Sequence, residues 1–545
     1  MIRGLICLLA LTLTSLAGAS TLVYNINGYT MNDGKRVQFV ALEFDQGKVT
    51  RLYRQPLDVK RSQADERING EGATLLPGLI DAHGHVTSHG RALSAVDLVG
   101  SDSEADSVAR VKAFIAKHPD QEWILGRGWN QVFWPGKQFP DRRSLDVVSG
   151  EKAVALGRID GHAMWANSKA LELAGIGDDT RDPDGGQIIR DKNGRATGVL
   201  IDNAMNLVEQ VMPPVTDADM QRFALTAMED LARNGVTSVH DAGISAQEVK
   251  AFQALRRDNK MPIRIYAMLS VLDPANDAYL RQGPLIDPDH MLDIRSVKIS
   301  ADGALGSRGA ALFEDYSDEP GQKGLLLVND EQLDQHMGRS MAAGYQVNIH
   351  AIGDKANARV LDYFELMIKK HDNRHLRHRN EHSQIVRPVD IPRFAEIGVV
   401  ASIQPTHATS DKNMAGDRLG EERLKGAYAW KTLLDSGARL AGGSDFPVES
   451  ANPFYGLFAA VTRQSQDNQP PGGWLPHEKL DRDQTLSLFT EWAAWSAHQE
   501  KVIGRLMPGY AADFILVRDD YFTVAEQDIW KNRVLATYVA GKKVF

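Results

Sequence analysis

Short apolar runs of strand-like character recur through the chain, and helical periodicity separates most of them. Seven such runs lie between residues 235 and 448, and an eighth leads into the segment LLPGLIDAHGHV (75–86). Eight alternating β/α units are what a closed parallel barrel requires. We therefore predict an α/β fold with a (β/α)8 TIM-like barrel. The seven runs are 235–243, 262–269, 294–303, 344–354, 377–385, 398–407 and 438–448, and the helical intervals include 215–234, 246–258, 331–343, 355–371 and 387–396.

One interval in this alternation is far longer than a crossover helix needs. About 150 residues separate the first predicted strand from the second, which is too many for one β/α connection. The stretches 123–146 and 154–171 within it are rich in Trp, Arg, Gly and His. We predict that residues 89–205 form an inserted cap segment after the first barrel strand, placed over the active site.

Both ends of the chain read as short strands with turns between them. Alternating or apolar runs occupy 21–26, 37–54 and 72–86, and similar runs recur at 512–519 and 533–545. We predict that residues 20–75 and 505–545 build one small β-sandwich beside the barrel. The barrel itself is then assigned to residues 76–88 and 206–504.

The first nineteen residues have the pattern of a secretory signal. Arg3 precedes an apolar run, and Ala17-Gly18-Ala19 fits signal peptidase cleavage. A buried N-terminal helix is the alternative, but the pattern favours a signal peptide (1–19), a mature chain beginning near Ser20, and a periplasmic or secreted protein. No later stretch reaches the roughly 18 apolar residues of a membrane span. The only cysteine, Cys7, lies within the signal, so His, Asp, Glu or a modified Lys must hold any transition metal.

Composition and charge exclude some classes of partner. The chain is 43% hydrophobic, carries 71 acidic and 62 basic residues, and has no long block of one sign. This is ordinary globular composition with an acidic balance, which argues against a nucleic-acid partner. We expect a small-molecule substrate. A homodimer is the only protein assembly that we consider for this chain.

The segment DAHGHV places two histidines, His83 and His85, at the end of the first barrel strand. Residues two apart on a strand face the same side, so both imidazoles can point inward and bind one ion. Alone, such a pair is more consistent with two ordinary polar histidines than with a metal site. His350, His382 and Asp445 also stand where predicted strands end, which is the functional face of a barrel. Together the five residues predict a metal site.

Lys298 lies between Val297 and Ile299 in a strand that should be buried. An unpaired buried ammonium is very costly. The lysine is therefore paired with an acid, neutral, or chemically converted to an anion, and only the last form is a metal ligand.

The ordered motifs DAHGHV, SVKISADGALGSR, NIHAIGD, RNEHSQI and GGSDFPVE resemble those of the amidohydrolase superfamily of metal-dependent hydrolases. They are most similar to the branch that includes N-substituted formamide deformylase. The resemblance runs through nearly the whole chain after the signal and includes GRGWN and GRLMPGYAADFILV. By position it implies one or two divalent ions, with Zn²⁺ the expected metal. It implies that His83, His85 and Asp445 bind the first ion, that His350 and His382 bind the second, and that Lys298 is carboxylated to a bridging carbamate.

The resemblance also implies a reaction. Water bound to the metal has its pKa lowered to about 7, and the resulting hydroxide attacks a polarised carbonyl. Asp445 is then the catalytic residue that takes the water's proton and passes it to the leaving amine. His89, His407 and His477 are interpreted as solvated or structural. Candidate substrate contacts, each as consistent with a structural role, are Arg127, Trp129, His162, His240, Arg308 and Gln404.

These observations predict an exported metal-dependent hydrolase that cleaves a C–N bond of an amide, N-formyl or N-acyl amine. A deaminase or an esterase on the same scaffold is the alternative within enzymes, because the same activated water serves those reactions. A non-catalytic binding or regulatory barrel is the alternative outside them. Tightly bound metal distinguishes the enzyme from the non-catalytic barrel.

Overall fold

The structure is a computed structural model and describes residues 20–158, 163–183, 186–306 and 308–545. Its strands are β1 (Thr21–Asn32), β2 (Lys35–Asp45), β3 (Lys48–Tyr53), β4 (Glu66–Asn69), β5 (Thr74–Pro77), β6 (Leu79–Gly84), β7 (Val96–Asp97), β8 (Trp123–Trp129), β9 (Ala153–Arg158), β10 (Ala163–Ala166), β11 (Gly186–Arg190), β12 (Ala196–Asp202), β13 (Val236–Ile244), β14 (Arg264–Ser270), β15 (Leu292–Ser300), β16 (Gln346–Ala351), β17 (Arg379–His382), β18 (Val400–Ile403), β19 (Arg439–Gly442), β20 (Phe514–Val517), β21 (Val534–Val539) and β22 (Lys542–Lys543).

The α-helices of the same residues fall mainly between the barrel strands. They are α1 (Pro56–Val59), α2 (Val86–Leu93), α3 (Glu104–Lys117), α4 (Arg142–Ser149), α5 (Ser168–Leu173), α6 (Asn206–Glu209), α7 (Asp217–Arg233), α8 (Ala246–Arg257), α9 (Asp277–Gln282), α10 (Asp330–Ala342), α11 (Asp354–His371), α12 (Ile391–Ile397), α13 (Pro405–Leu424), α14 (Trp430–Asp435), α15 (Pro453–Thr462), α16 (Arg482–Leu488) and α17 (Glu491–Ser496).

Eight parallel strands form the predicted barrel. They are hydrogen-bonded in the order β6, β13, β14, β15, β16, β17, β18 and β19. The first and last strands meet where the Asp445 backbone N–H donates to the His83 carbonyl at 2.7 Å. The barrel is confirmed, and each of the eight predicted runs overlaps one barrel strand.

Local sequence explains where the helices start. Thr216, Ser245 and Asn329 each accept a hydrogen bond from the third residue of the following helix, whose own side chain accepts one from the cap backbone. The strands between these helices are buried along most of their length, as expected of a parallel sheet covered on both faces.

The two ends of the chain share one sheet. Strand β20 pairs antiparallel with β5, and β5 pairs parallel with β1. The predicted β-sandwich is thus a single hydrogen-bonded sheet, in which β1 also pairs with β4. The apolar run before His83 is divided between two sheets, because β5 ends at Pro77 and β6 begins at Leu79. Proline cannot donate the backbone hydrogen bond that would continue the ladder.

A buried ion pair joins this terminal sheet to the barrel. Arg264 at the start of β14 donates to both oxygens of Asp513, at 2.6 and 3.0 Å, and both side chains are almost fully buried. Asp513 also accepts from the Ala540 backbone at 2.7 Å. The pair therefore ties the barrel to the C-terminal strands at the N-terminal ends of the barrel strands.

The insertion after the first barrel strand has a sheet of its own, in the order β11, β12, β10, β9, β8 and β7. Trp129 and Trp165 pack edge to face in its core, with ring centroids 6.3 Å apart. Its position over the barrel mouth stays a prediction. Within the part of the chain that the structure describes, no helix combines the length and apolar character needed to cross a membrane.

Candidate metal centre

Three ligand-type side chains meet at the C-terminal end of β6. The Nε2 atoms of His83 and His85 lie 3.5 and 3.1 Å from Asp445 Oδ1. Two donors on one tetrahedral zinc lie about 3.3 Å apart, because zinc–nitrogen bonds are about 2.0–2.1 Å long. The first predicted ligand set therefore has the spacing of a metal site.

A second set of three lies beside it. Ligand atoms of His382, His407 and Asp445 all fall within 4.8 Å of one another, and all three residues are buried. His407 is buried, so of its two interpretations as a solvated or a structural residue the first is wrong, and the first turn of α13 places it beside Asp445. Asp445 is common to both sets.

The remaining predicted ligands border these sets. Lys298 Nζ lies 3.3 Å from His83 Nε2, and the imidazoles of His350 and His382 are 4.5 Å apart. His350 Nε2 also lies 3.4 Å from an oxygen of Asp302, which accepts three backbone N–H groups. The structure thus gathers all six predicted metal-binding residues at one end of the barrel.

A buried ion pair lies beneath the first histidine. Glu381 Oε2 is 2.5 Å from His83 Nδ1, and Arg379 Nε is 2.7 Å from Glu381 Oε1. Burial alone raises the pKa of Glu381, but the charges of Arg379 and His83 hold that pKa well below its usual range. The carboxylate binds Nδ1 of His83 and leaves Nε2 directed at the site, which is the usual support of a histidine ligand.

The histidines are held in the form that binds metal. Burial and the charge of Lys298 lower the pKa of His83 to about 4, and burial holds the pKa of His382 well below its usual range. Neutral imidazole is the metal-ligating form. Burial also raises the pKa of Asp445, but His85 and the neighbouring histidines hold it well below its usual range, so the carboxylate is ionised.

Backbone geometry at the site is specialised. Asp445 and His382 have φ of 64° and 75°, a region that non-glycine residues seldom adopt and that costs of order 1–3 kcal/mol each. Gly443 passes so close to β6 that an added Cβ would lie 2.4 Å from the His83 nitrogen. A side chain at Gly443 would therefore push the Asp445 loop away from His83.

The donor set fits a divalent ion of the zinc type. Histidine nitrogens and carboxylate oxygens converge, whereas the only cysteine of the chain is Cys7. Buried Nε2 atoms of His350, Gln404 and His407 have no hydrogen-bond partner within the described residues. Buried polar atoms without a partner are expected where an ion or a ligand binds.

The candidate substrate contacts have different outcomes. Trp129 is fully buried and donates to the Leu156 carbonyl, and His240 is fully buried against Arg379, so both predictions are replaced by structural roles. Gln404 is also buried, and its Oε1 accepts a hydrogen bond of 2.8 Å from His382 Nδ1, which makes it a positioning residue.

The other candidates for substrate contact stay predictions. Arg308 pairs with Asp318 at 2.9 and 3.2 Å in the loop after β15. Arg127 is exposed on β8 of the insertion. His162 lies outside the described residues.

Sequence reasoning missed His407, Glu381 and Arg379 as parts of the centre. Glu381 and Arg379 carry the signal that drew attention to Lys298, because charged residues inside a short barrel strand need buried partners. His407 carried a comparable signal that was not used, since it is the last residue of the predicted run 398–407.

Comparisons with known proteins agree with this geometry. A model of the amidohydrolase family matches residues 66–545. The chain is 33% identical over 524 residues to the putative amidohydrolase YtcJ of Bacillus subtilis (strain 168), covering 95% of this chain and 98% of the relative. It is 26% identical over 493 residues to N-substituted formamide deformylase of Arthrobacter pascens, covering 87% and 89%.

The chain is also similar to a solved structure. An uncharacterized metal-dependent hydrolase from Pyrococcus furiosus matches with a TM-score of 0.76 and 28% identity, covering 92% of this chain and 100% of that one. The family match and the relatives extend over most of the chain, and the candidate ligands converge within the matched region. The chain therefore belongs to the amidohydrolase family of metal-dependent hydrolases.

Proposed function

We propose that this hydrolase cleaves a C–N bond in a small molecule, an amide or an N-formyl or N-acyl amine. One observation carries the proposal: Asp445, an ionised and nearly buried carboxylate, lies against two sets of histidines at the barrel mouth. The relative named N-substituted formamide deformylase supports this choice of bond.

The side chains of the centre have different roles in this reaction. His83, His85 and Asp445 would hold one divalent ion, with His382 and His350 beside a second. When bound, such an ion lowers the pKa of water and polarises a carbonyl oxygen. Asp445 accepts a proton from the attacking water and delivers it to the leaving nitrogen. A C–O bond forms, the C–N bond breaks, and the products are a carboxylic acid and an amine.

Zinc as the metal and carboxylation of Lys298 belong to the same proposal. Burial lowers the pKa of Lys298, which favours the neutral amine that adds to carbon dioxide. Its Nζ, 3.3 Å from His83 Nε2, is close enough for a carbamate to reach the ligand set. Lys298→Ala should lose metal and most activity, with partial rescue by short carboxylic acids. Full metal content and activity in that variant would leave the lysine a structural role.

A hydrolysis screen tests the activity. Zinc-loaded protein is incubated with N-formyl amines, N-acyl amines, dipeptides, aminated heterocycles and esters, and release of amine, ammonia or alcohol is measured. Amine release from the first two classes is the expected result. Turnover of only heterocycles or esters would identify a deaminase or an esterase, and a metal-free, inactive protein would favour a binding barrel. His336→Ala, a change on α10, serves as a matched active control.

Export is the proposal for location. Mass spectrometry of protein from the native host should find a mature N-terminus near Ser20 in the periplasmic or secreted fraction. An intact Met1 terminus in the cytoplasmic fraction would refute export.

A further inference from the structure

His407 is buried at the start of α13, where β18 has just ended. Its Nε2 lies 3.7 Å from Asp445 Oδ2, beyond the range of about 2.7–3.2 Å for a nitrogen–oxygen hydrogen bond. No described group accepts or donates a hydrogen bond at this atom. A buried polar atom without a partner costs about 1–3 kcal/mol, so packing alone does not account for a histidine here.

The neighbours of His407 are arranged as ligands. Its ring is nearly parallel to that of His382, at 13° and 5.9 Å. His382 donates from Nδ1 to Gln404, which leaves the lone pair of its Nε2 for a metal. One ring nitrogen of each histidine and one oxygen of Asp445 fall within 4.8 Å of one another.

Asp445 divides its two oxygens between two groups of histidines. Oδ1 lies 3.1 Å from His85 and 3.5 Å from His83, whereas Oδ2 faces His407. A carboxylate placed in this way can bind one ion through each oxygen.

We propose that His407 is a ligand of the second divalent ion, together with His382 and Asp445. The proposal rests on the proposed metal-dependent function and adds a residue to the ligands that the resemblance implied. Two other roles for His407 are distinguishable from it. A ring that only stacks on His382, or one that only contacts substrate, leaves the metal content unchanged.

Metal stoichiometry separates these roles. The full chain is loaded with zinc, freed of excess metal by gel filtration, and its zinc per chain is measured by inductively coupled plasma mass spectrometry. Wild type and the control His336→Ala should hold two ions, and His407→Ala should hold one. Thermal melts of the metal-free proteins check that His407→Ala is folded. If His407→Ala retains the wild-type metal content, the assignment is overturned; a wild type that holds no zinc refutes the proposed function itself.

A second variant reports the bond directly. In cobalt-loaded His407→Cys, a thiolate ligand should give a sulfur-to-cobalt charge-transfer band in the near ultraviolet. The wild-type protein, whose only cysteine is Cys7, supplies the baseline. Two bound cobalt ions without that band would show that position 407 does not coordinate metal.

Discussion

Replacing Glu381 by glutamine tests whether the buried ion pair beneath His83 serves the metal. Glu381 is fully buried and contacts His83 Nδ1 at 2.5 Å and Arg379 Nε at 2.7 Å. The amide has the same shape but no charge, so Glu381→Gln leaves the Arg379 guanidinium without a buried counter-charge. Breaking one side of a buried pair costs about 3–5 kcal/mol of unfolding free energy.

The expected loss of metal affinity at His83 is separate from this loss of stability. Weakening the support of a histidine ligand lowers metal affinity about 10- to 100-fold. This corresponds to about 1.4–2.7 kcal/mol of binding free energy. Affinity for the first ion is measured by competition with a chromophoric chelator, and stability by urea unfolding of the metal-free protein.

A matched control separates the two effects. Asp513→Asn breaks the buried pair with Arg264, at the other end of the barrel, and should lose similar stability without losing metal affinity. Glu381→Asp keeps the charge but shortens the side chain, so it should recover stability more fully than affinity. If Glu381→Gln binds the first ion within about twofold of wild type, Glu381 does not support the ligand and the reasoning is refuted.

Three further results are expected. Asp445→Asn keeps a ligand oxygen but cannot accept a proton, so kcat should fall about 10²- to 10⁴-fold with little change in metal content; near wild-type turnover would exclude Asp445 as the proton carrier. Gly443→Ala should lose metal and lower the melting temperature, because its Cβ would collide with the His83 backbone at 2.4 Å, and an unchanged protein would show that the loop adapts. Burial lowers the pKa of His378 to about 3, below the value of about 6.5 expected in the unfolded chain. The stability that neutral His378 contributes is therefore complete above about pH 6.5 and is lost as the pH falls below it. Between pH 7 and pH 5, the free energy of unfolding measured with urea should therefore fall by about 2 kcal/mol less in His378→Asn than in wild type. Equal decreases in the two proteins would show that the pKa of His378 is not lowered in the folded state.

The barrel and most of the candidate metal ligands were predictable because their signals are local. Apolar runs and helical intervals are properties of neighbouring residues, and they located all eight barrel strands. His83, His350, His382 and Asp445 stand at or near strand ends, and the strands of a parallel barrel end on the same face. Position along the chain therefore implied position in space.

Tertiary structure alone decided which residues complete the site. Glu381 supports His83 from 298 positions away along the chain, and it is paired there with Arg379 of its own strand, β17. His407 becomes a neighbour of Asp445 because the path of α13 after β18 brings two distant segments together. Trp129 shows the opposite case, since its neighbours suggested a substrate contact but the insertion buries it in a core. Local periodicity determines which elements form, whereas the partner of a buried polar group depends on how those elements pack.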